Sequence, residues 1–183
     1  MNCPRCKATA LSIAMLEDKL PFHTCGDCGG GLLSLTIYRE WIERYPAIVH
    51  SVSVSQDEVQ VQDTRRATLC PRCRRIMLRY KCAADSEHGL NFCAGCDEIW
   101  LDGNEWEFLK QKNLHDKVPG IFTEPWQRRL RNESSRKRFE QLYLNKLGAE
   151  EYDKVRRVKE WLDQHPKRSA VLAYLNDEYP YRA

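Results

Sequence analysis

Eight of the nine cysteines in this chain lie in four Cys-x-x-Cys motifs, and these motifs form two pairs of nearly equal spacing. The motifs of the first pair are separated by 18 residues, and those of the second pair by 19. Both separations lie inside the window that is typical of four-cysteine zinc sites. The sequence therefore predicts two structural Zn²⁺ ions per chain, one held by Cys3, Cys6, Cys25 and Cys28 and the other by Cys70, Cys73, Cys93 and Cys96.

The coordination chemistry of zinc also predicts the fold around each site. Zn²⁺ binds four ligands tetrahedrally with Zn–S distances of about 2.3 Å, so the four sulfurs must converge on one point. A chain that runs out from the first motif and returns as a β-hairpin brings the second motif beside it. Residues 10–15 and 76–82 are rich enough in apolar and β-compatible residues to form the outgoing strands. Turn-forming residues follow at 17–19 and 84–89, so each unit is expected to be a zinc ribbon.

The two units repeat along the chain. Cys-Pro-Arg-Cys begins at Cys3 and again at Cys70, an offset of 67 residues, and each unit continues into a short amphipathic segment. In the second unit, the sequence from Asp102 to Glu105 is typical of a capping box at the start of a helix.

The sequence thus predicts a small metal-bound α+β protein with two four-cysteine zinc ribbons, each a β-hairpin followed by a short helix. The expected domains are a first ribbon over 1–48, a linker with a possible β-hairpin (51–54 and 59–62) over 49–68, a second ribbon over 69–118, and an α-helical C-terminal region over 119–183.

The second unit carries a distinctive motif after its last cysteine. Cys96 is followed by Asp-Glu-Ile-Trp-Leu-Asp-Gly-Asn-Glu, residues 97–105. This segment resembles the bacterial zinc-ribbon family named after transcription factor IIB, also called the transcription factor zinc-finger, whose second motif typically reads CxxCGGxWLDxGE. The residues that match are Trp100, Leu101, Asp102 and Glu105, whereas Asp97, Glu98 and Asn104 stand where glycines are usual.

The first unit resembles the same family less closely. It keeps Gly29 and Gly30 but has Leu32 and Ser34 at the positions of the tryptophan and the aspartate. The resemblance leaves the linker and the C-terminal third uncovered. It implies zinc binding and a connection with nucleic acid or transcription.

From Glu124 onward the sequence contains no cysteine, and its pattern becomes helical. Apolar residues at helical spacing predict a long helix that ends at Gly148, a second helix that ends near Pro166, and a shorter third helix over about 169–175. The apolar positions are Trp126, Leu130, Phe139, Leu142, Tyr143 and Leu147 in the first helix and Tyr152, Val155, Val158, Trp161 and Leu162 in the second. Such side chains are most often buried, so we expect them to form a small bundle or to pack on the ribbons.

The C-terminal third also carries an excess of positive charge, with 14 Lys and Arg against 10 Asp and Glu over residues 119–183. Local basic clusters bind phosphates through counterion release, so DNA or RNA is a candidate partner. The candidate contacts are Arg128, Arg129, Arg131, Arg136, Lys137 and Arg138 on the predicted long helix and Arg72, Arg74 and Arg75 beside the second zinc site. Two alternatives stay open: a charged helix face is often merely solvated, and arginines beside a zinc site can soften its negative charge.

The sequence offers no catalytic constellation. The five histidines are scattered, and the chain contains no HExxH motif, no paired carboxylates and no glycine-rich phosphate loop. Four cysteines at each site favour a closed zinc ion with no open coordination position, so we expect a protein that is not an enzyme. His23 or His88 would be needed as a ligand only if a cysteine were absent, and Cys82 is expected to be a core thiol.

The sequence also indicates the compartment of the protein and the classes of function that remain possible. No apolar run approaches the roughly 18 residues of a membrane helix, and no signal-peptide pattern precedes Cys3. Paired Cys-x-x-Cys motifs indicate metal sites in a reducing compartment, so we expect a cytoplasmic protein without a membrane partner. We consider three classes: a nucleic-acid-binding module associated with transcription or translation machinery, an adaptor that binds a protein complex through its C-terminal helices, and a thiol-redox or chaperone-like protein that requires accessible low-pKa thiolates.

Removing zinc is expected to unfold the ribbons. Each ribbon has about 40 residues, near the size below which a domain usually needs a metal or disulfides. Structural zinc contributes about 10–16 kcal/mol of apparent binding free energy, which is also folding free energy. A chelator at pH 7 should therefore abolish the β-strand signal in circular dichroism while part of the helical signal survives. An unchanged spectrum without released zinc would contradict this prediction.

Overall fold

The computed structural model describes residues 1–51 and 67–178. The chain forms two compact units, Met1–Ser134 and Ser135–Ala183. The first unit contains both predicted ribbons, and the second belongs to the helical C-terminal region. Among the described helices, none combines the length and the apolar character that crossing a membrane requires.

The first ribbon has three antiparallel strands followed by helices. Strands β1 (Ser12–Glu17) and β2 (Leu20–Thr24) form the predicted hairpin. Strand β3 (Gly31–Ser34) returns from the second cysteine motif and pairs with β2. The chain then enters helix α1 (Leu35–Arg44) directly and continues into helix α2 (Pro46–Ser51).

The second ribbon repeats this plan. Its strands are β4 (Leu78–Lys81), β5 (Gly89–Cys93) and β6 (Glu98–Leu101), followed by helices α3 (Glu105–Gln111) and α4 (Val118–Ile121). The helix that the Asp102–Glu105 pattern predicts begins at Glu105. The carboxylate of Glu105 accepts a hydrogen bond of 2.7 Å from the backbone N–H of Asp102, which is one half of a capping box. The predicted fold class, two four-cysteine ribbons with short helices and a helical C-terminal region, is confirmed.

The two ribbons share a single sheet, which the sequence did not reveal. Strand β3 pairs with β6 antiparallel, so six strands run in the order β1-β2-β3-β6-β5-β4. Leu32 lies opposite Trp100, and Leu33 lies opposite Ile99. Because equivalent strands of the two ribbons pair antiparallel, the ribbons are related by an approximate two-fold rotation about this pair.

Alternation of side chains along the strands separates two apolar clusters. Leu33 and Ile99 belong to the main core, which also contains apolar side chains of α1, α3 and α4. Leu32 and Trp100 belong to the second cluster, together with Cys3, Cys25, Cys70, Met77 and Cys93. One sheet face therefore packs on helices, and the other carries the apolar side chains that lie with the cysteines.

Aromatic side chains join the helices of the two ribbons in the main core. Tyr38 and Trp41 of α1 contact Trp106 of α3, with ring centroids 6.4 Å apart in both pairs. The indole of Trp41 donates to the carbonyl of Asp18 at 2.8 Å. The first ribbon thus completes the core of the second, and the second completes that of the first.

A partly buried ion pair adds a polar link between the ribbons. Glu17 of β1 accepts hydrogen bonds from the indole of Trp106 at 2.8 Å and from the ammonium group of Lys110 at 3.0 Å. Burial lowers the pKa of Lys110, but hydrogen bonds to Glu107 and Glu17 outweigh this effect and raise the pKa above its ordinary value. Lys110 therefore stays charged within the fold.

Helix α5 (Glu124–Leu147) begins against the second ribbon. The indole of Trp126 donates to the carbonyl of Cys82 at 3.2 Å, and the amide of Gln127 donates to the carbonyl of Lys81 at 2.9 Å. Leu130 is buried. The apolar residues at the start of this helix are therefore core residues, as the sequence predicted.

The second unit follows the predicted helix boundaries but not the predicted burial. Gly148, with a φ of 78°, separates α5 from α6 (Ala149–Asp163), and α7 (Arg168–Asn176) follows. Leu162 is buried and Tyr152 is partly buried. The expectation of core packing is wrong for seven positions, which are exposed: Phe139, Leu142, Tyr143, Leu147, Val155, Val158 and Trp161.

The space between α5 and α6 is lined by side chains other than these apolar ones. A cavity of about 540 Å³ lies between the two helices and is lined mainly by charged and polar groups, namely Arg136, Lys137, Glu140, Gln141, Leu144, Tyr152, Arg156 and Glu160. The seven exposed apolar residues are not among those that line this cavity. Of the possible hairpin over 51–54 and 59–62, Ser51 ends helix α2, and the remaining residues lie outside the described part of the chain.

A buried and an exposed tryptophan provide a test of the described packing. Trp41 is 1% exposed, so Trp41→Ala should lower the free energy of unfolding by about 3–5 kcal/mol through lost burial and the resulting cavity. Trp161 is 53% exposed, and Trp161→Ala should change it by less than about 1 kcal/mol. Urea denaturation of the zinc-loaded variants measures both values, and equal losses would contradict the assignment of the core.

Candidate metal centres

The first candidate metal centre consists of Cys3, Cys6, Cys25 and Cys28. Their sulfur atoms all lie within 4.8 Å of one another, and the Sγ atoms of Cys3 and Cys28 are 3.7 Å apart. Tetrahedral coordination with Zn–S bonds of about 2.3 Å requires sulfurs about 3.8 Å apart. The four thiols are therefore placed as zinc ligands.

The second centre, formed by Cys70, Cys73, Cys93 and Cys96, has the same arrangement. Its Sγ–Sγ distances include 3.4 Å between Cys70 and Cys96 and 3.5 Å between Cys73 and Cys93. In both centres two sulfurs are on buried residues and two on partly exposed ones. The two clusters fit two structural zinc ions, as the spacing of the motifs predicted.

Each Cys-x-x-Cys motif and the two residues after it form a tight turn, which we call a knuckle. The residue after the second cysteine adopts a positive φ in all four knuckles: 63° at Lys7, 67° at Gly29, 64° at Arg74 and 57° at Asp97. This conformation directs the chain back past the metal, as shown by hydrogen bonds from the N–H of Lys7 to the carbonyl of Cys3 and from that of Arg74 to the carbonyl of Cys70, both 2.9 Å. Glycine is favoured there because it lacks a Cβ, and aspartate tolerates the same region better than most residues.

Backbone amides of the knuckles stabilise the negative charge of the sulfurs. The N–H of Cys6 donates to the sulfur of Cys3 at 3.3 Å. Burial raises the pKa of Cys3, and the amides of Cys6 and Arg5 act against it. The amide of Arg75 lowers the pKa of the more exposed Cys73 to about 7. Since zinc binds the thiolate form, metal affinity must fall as pH decreases and the thiols take up protons.

Trp100, Asp102 and Glu105, which carry the resemblance in the second ribbon, form a buried hydrogen-bond network. The indole of Trp100 donates to the carboxylate of Asp102 at 2.9 Å, and the N–H of Asp102 donates to the carboxylate of Glu105 at 2.7 Å. All three residues are buried. The motif therefore fixes the tryptophan between the metal centre and the start of α3.

Glu98 is a residue of this region whose role the sequence did not show. It stands where the family has glycine, is buried, and pairs with Arg72 at 2.6 Å. Burial raises the pKa of its carboxyl group, partly offset by the positive charge of Arg72. Arg72, a predicted phosphate contact, thus already has an anionic partner beside the zinc site.

The other predicted basic residues fall into three groups. Arg74 and Arg75 lie exposed at the first knuckle of the second ribbon. Arg128, Arg129 and Arg131 lie on the part of α5 that belongs to the first unit, and Arg136, Lys137 and Arg138 on the part that belongs to the second. The three groups do not form one described site, and their contact with nucleic acid stays a prediction.

Cys82 and the described histidines belong to neither sulfur cluster. Cys82 is a buried member of the main core and belongs to neither sulfur cluster, as predicted. His88 packs edge-on against the ring of Phe108, with centroids 4.9 Å apart. With four cysteines in each cluster, neither centre needs a histidine ligand.

The fold and the two sulfur clusters define a zinc-binding protein built from paired zinc ribbons. Comparison with known families supports this class directly: residues 2–44 match the zinc-ribbon family of transcription factor IIB, described as Transcription factor zinc-finger. The resemblance predicted from the sequence is thus confirmed over the first ribbon, and the cluster at 70–96 is consistent with a second ribbon. Searches of curated proteins and of solved structures gave no match.

Substituting single cysteines should separate ligands from the core thiol. Cys96→Ser removes one of four ligands and should lower the zinc content of the purified chain by at least one ion, measured by native mass spectrometry. Cys82→Ser is the matched control, because this buried thiol lies outside both clusters, and it should keep two ions. Loss of zinc in Cys82→Ser or full loading of Cys96→Ser would contradict the ligand assignment.

Proposed function

We propose that this chain is a non-enzymatic zinc-ribbon module that binds nucleic acid, in association with transcription or translation machinery. The family match over residues 2–44 supports a connection with transcription. The arginines of the second ribbon supply the chemistry for binding phosphates. The proposal places the protein in the cytoplasm, where a reducing environment keeps its cysteines available to zinc.

The observation that carries the proposal is the charge of the segment that leads into β4. Residues 69–81 contain five basic residues and no acidic one: Arg72, Arg74, Arg75, Arg79 and Lys81. Arg74 and Arg75 are exposed, and their guanidinium groups form no ion pair with any residue in the described ranges. The guanidinium of Arg75 lies over Gly95 of the second knuckle. Both groups can therefore meet an external anion without breaking an ion pair.

The arginines of α5 are less available. Arg131 and Arg136 form ion pairs of 2.6 Å with Glu124 and 2.9 Å with Glu140. Arg129 lies over the ring of Trp126, 4.3 Å from its centroid. The two ion pairs are exposed and contribute little to stability. However, each places a carboxylate beside its arginine, and this negative charge weakens the attraction of the arginine for phosphate. We therefore assign the principal contact to the second ribbon and a supporting role to the helix.

The chemistry of the sulfur clusters supports a non-enzymatic role. A zinc ion held by four thiolates has no open position for water or substrate, whereas catalytic zinc sites keep one. The basic segment also adjoins the second cluster, so its arginines moderate the negative charge of the metal centre as well as offering contacts to phosphate.

The alternative function, an adaptor for a protein complex, is favoured by one observation. The outer faces of α5 and α6 expose large apolar side chains, among them Phe139, which is 58% exposed, Tyr143 and Trp161. Exposed aromatic residues are enriched at protein interfaces. This role does not exclude nucleic-acid binding, because its residues lie in the second unit and Arg74 and Arg75 lie in the first.

A pair of double variants tests the proposed contact. Arg74→Ala/Arg75→Ala should weaken binding of fluorescent DNA or RNA oligonucleotides about tenfold at low salt and reduce the salt dependence by about 1 per lost phosphate contact. Arg131→Ala/Arg136→Ala removes the same charge from ion-paired sites and should have a smaller effect. Fluorescence anisotropy across a salt series measures both.

The binding measurement, together with a pull-down of protein partners, distinguishes the two functions. Binding that is absent or insensitive to salt would contradict the nucleic-acid proposal. Retention of a defined protein partner after nuclease treatment, and its loss in Phe139→Glu, would then favour the adaptor.

A further inference from the structure

We infer that the two zinc sites load cooperatively, because each ribbon holds in place the second knuckle of the other. The second knuckles are Cys25–Gly30 in the first site and Cys93–Glu98 in the second. Both lie at the pairing of β3 with β6, where the ribbons meet. The inference concerns metal binding alone and does not rest on the proposed function.

The second ribbon supports the knuckle of the first site through Trp100. Gly30, two residues after the ligand Cys28, lies directly against this indole: a Cβ at Gly30 would be 2.7 Å from Cζ2 of Trp100 and 3.1 Å from the carbonyl oxygen of Leu101. Trp100 is held in turn by its hydrogen bond to Asp102. The backbone of the first knuckle is therefore seated on a side chain that only a folded second ribbon can position.

The first ribbon supports the knuckle of the second site through the start of α1. Asp97 directly follows the ligand Cys96, and its carbonyl accepts a hydrogen bond of 2.9 Å from the N–H of Leu35. Its carboxylate accepts hydrogen bonds from the hydroxyl of Thr36 at 3.4 Å and from the guanidinium of Arg39 at 3.3 Å. The backbone bond to Leu35 is the main support of this residue, whose positive φ of 57° closes the knuckle. The two side-chain contacts are exposed and add a smaller contribution.

Both supports depend on zinc at the opposite site. A ribbon of about 40 residues needs its metal to fold, so an empty second site loses the placement of Trp100 and an empty first site loses the start of α1. Leu32 and Trp100, opposite each other in the sheet, are both 1% exposed and share one apolar cluster with cysteines of both sites. Coupling between two binding sites is reciprocal, so each zinc ion should raise the affinity for the other by the same factor.

The first test uses the unmodified full chain. The protein is stripped of metal under reducing conditions, and zinc is returned in steps while native mass spectrometry counts the ions on each molecule. With one equivalent of zinc, cooperative loading gives mainly molecules with no zinc or with two. Independent equal sites would give about half of the molecules with one ion, and sites of unequal affinity would give more. One-zinc molecules that make up half of the total or more would overturn the inference.

The second test asks whether the named contacts carry the coupling. Thr36→Ala/Arg39→Ala removes the side-chain support of Asp97 from the first ribbon without altering any ligand, and it should raise the fraction of one-zinc molecules. Arg44→Ala is the matched control, since Arg44 is exposed in the last turn of the same helix. A distribution identical to that of the control would overturn the role of these contacts.

The third test disables one site and measures the other. Cys70→Ser/Cys73→Ser should lower the zinc affinity of the first site at least about fivefold, the lower end of typical coupling between sites. Competition with a chromophoric chelator gives this affinity from metal binding alone. An unchanged affinity would show that the first site does not depend on the second and would overturn the inference.

Discussion

The convergence of four thiolates on one metal ion is the constraint on which the first unit depends. In each ribbon it brings together two knuckles that lie about 20 residues apart in the sequence, and it fixes the hairpin between them. The strands are short, with four to six residues each, and could not form a stable domain by themselves. The metal sites therefore define the ends of the strands, and the β3–β6 pairing then combines two marginal ribbons into one sheet with a shared core.

Much of this arrangement was predictable, because it follows from local signals. The cysteine spacing located both metal sites, the turn residues located both hairpins, and Asp102 to Glu105 located the start of α3. The pairing of β3 with β6 was not predictable in this way. The edge strands of either ribbon present free backbone groups that can pair with another strand. The alternation of side chains along a strand does not indicate which edge strand pairs with the other ribbon. The decisive detail is tertiary: Gly30 leaves room for Trp100 across the pair.

For the C-terminal helices, the sequence pattern predicts the helix boundaries but not which side chains are buried. Helical periodicity and Gly148 gave their boundaries correctly, since both depend on the local chain. Burial depends on which surfaces meet. The cavity between α5 and α6 is lined by charged residues such as Arg136 and Glu160, whereas Phe139 and Trp161 are exposed. An apolar stripe predicts a face that avoids water, but it does not identify the surface that covers that face.

Two positions at which the second ribbon differs from the motif that it resembles have a backbone conformation that favours glycine. Asp97 and Asn104 stand where the resembled motif has glycines. Both have a positive φ, and aspartate and asparagine are among the residues that tolerate it. In the first ribbon the residue equivalent to Asp97 is Gly29, also with a positive φ. The extra carboxylate of Asp97 contacts Thr36 and Arg39 of the other ribbon. The backbone of Asp97 therefore closes a turn at the metal centre, and its side chain joins that turn to the other ribbon.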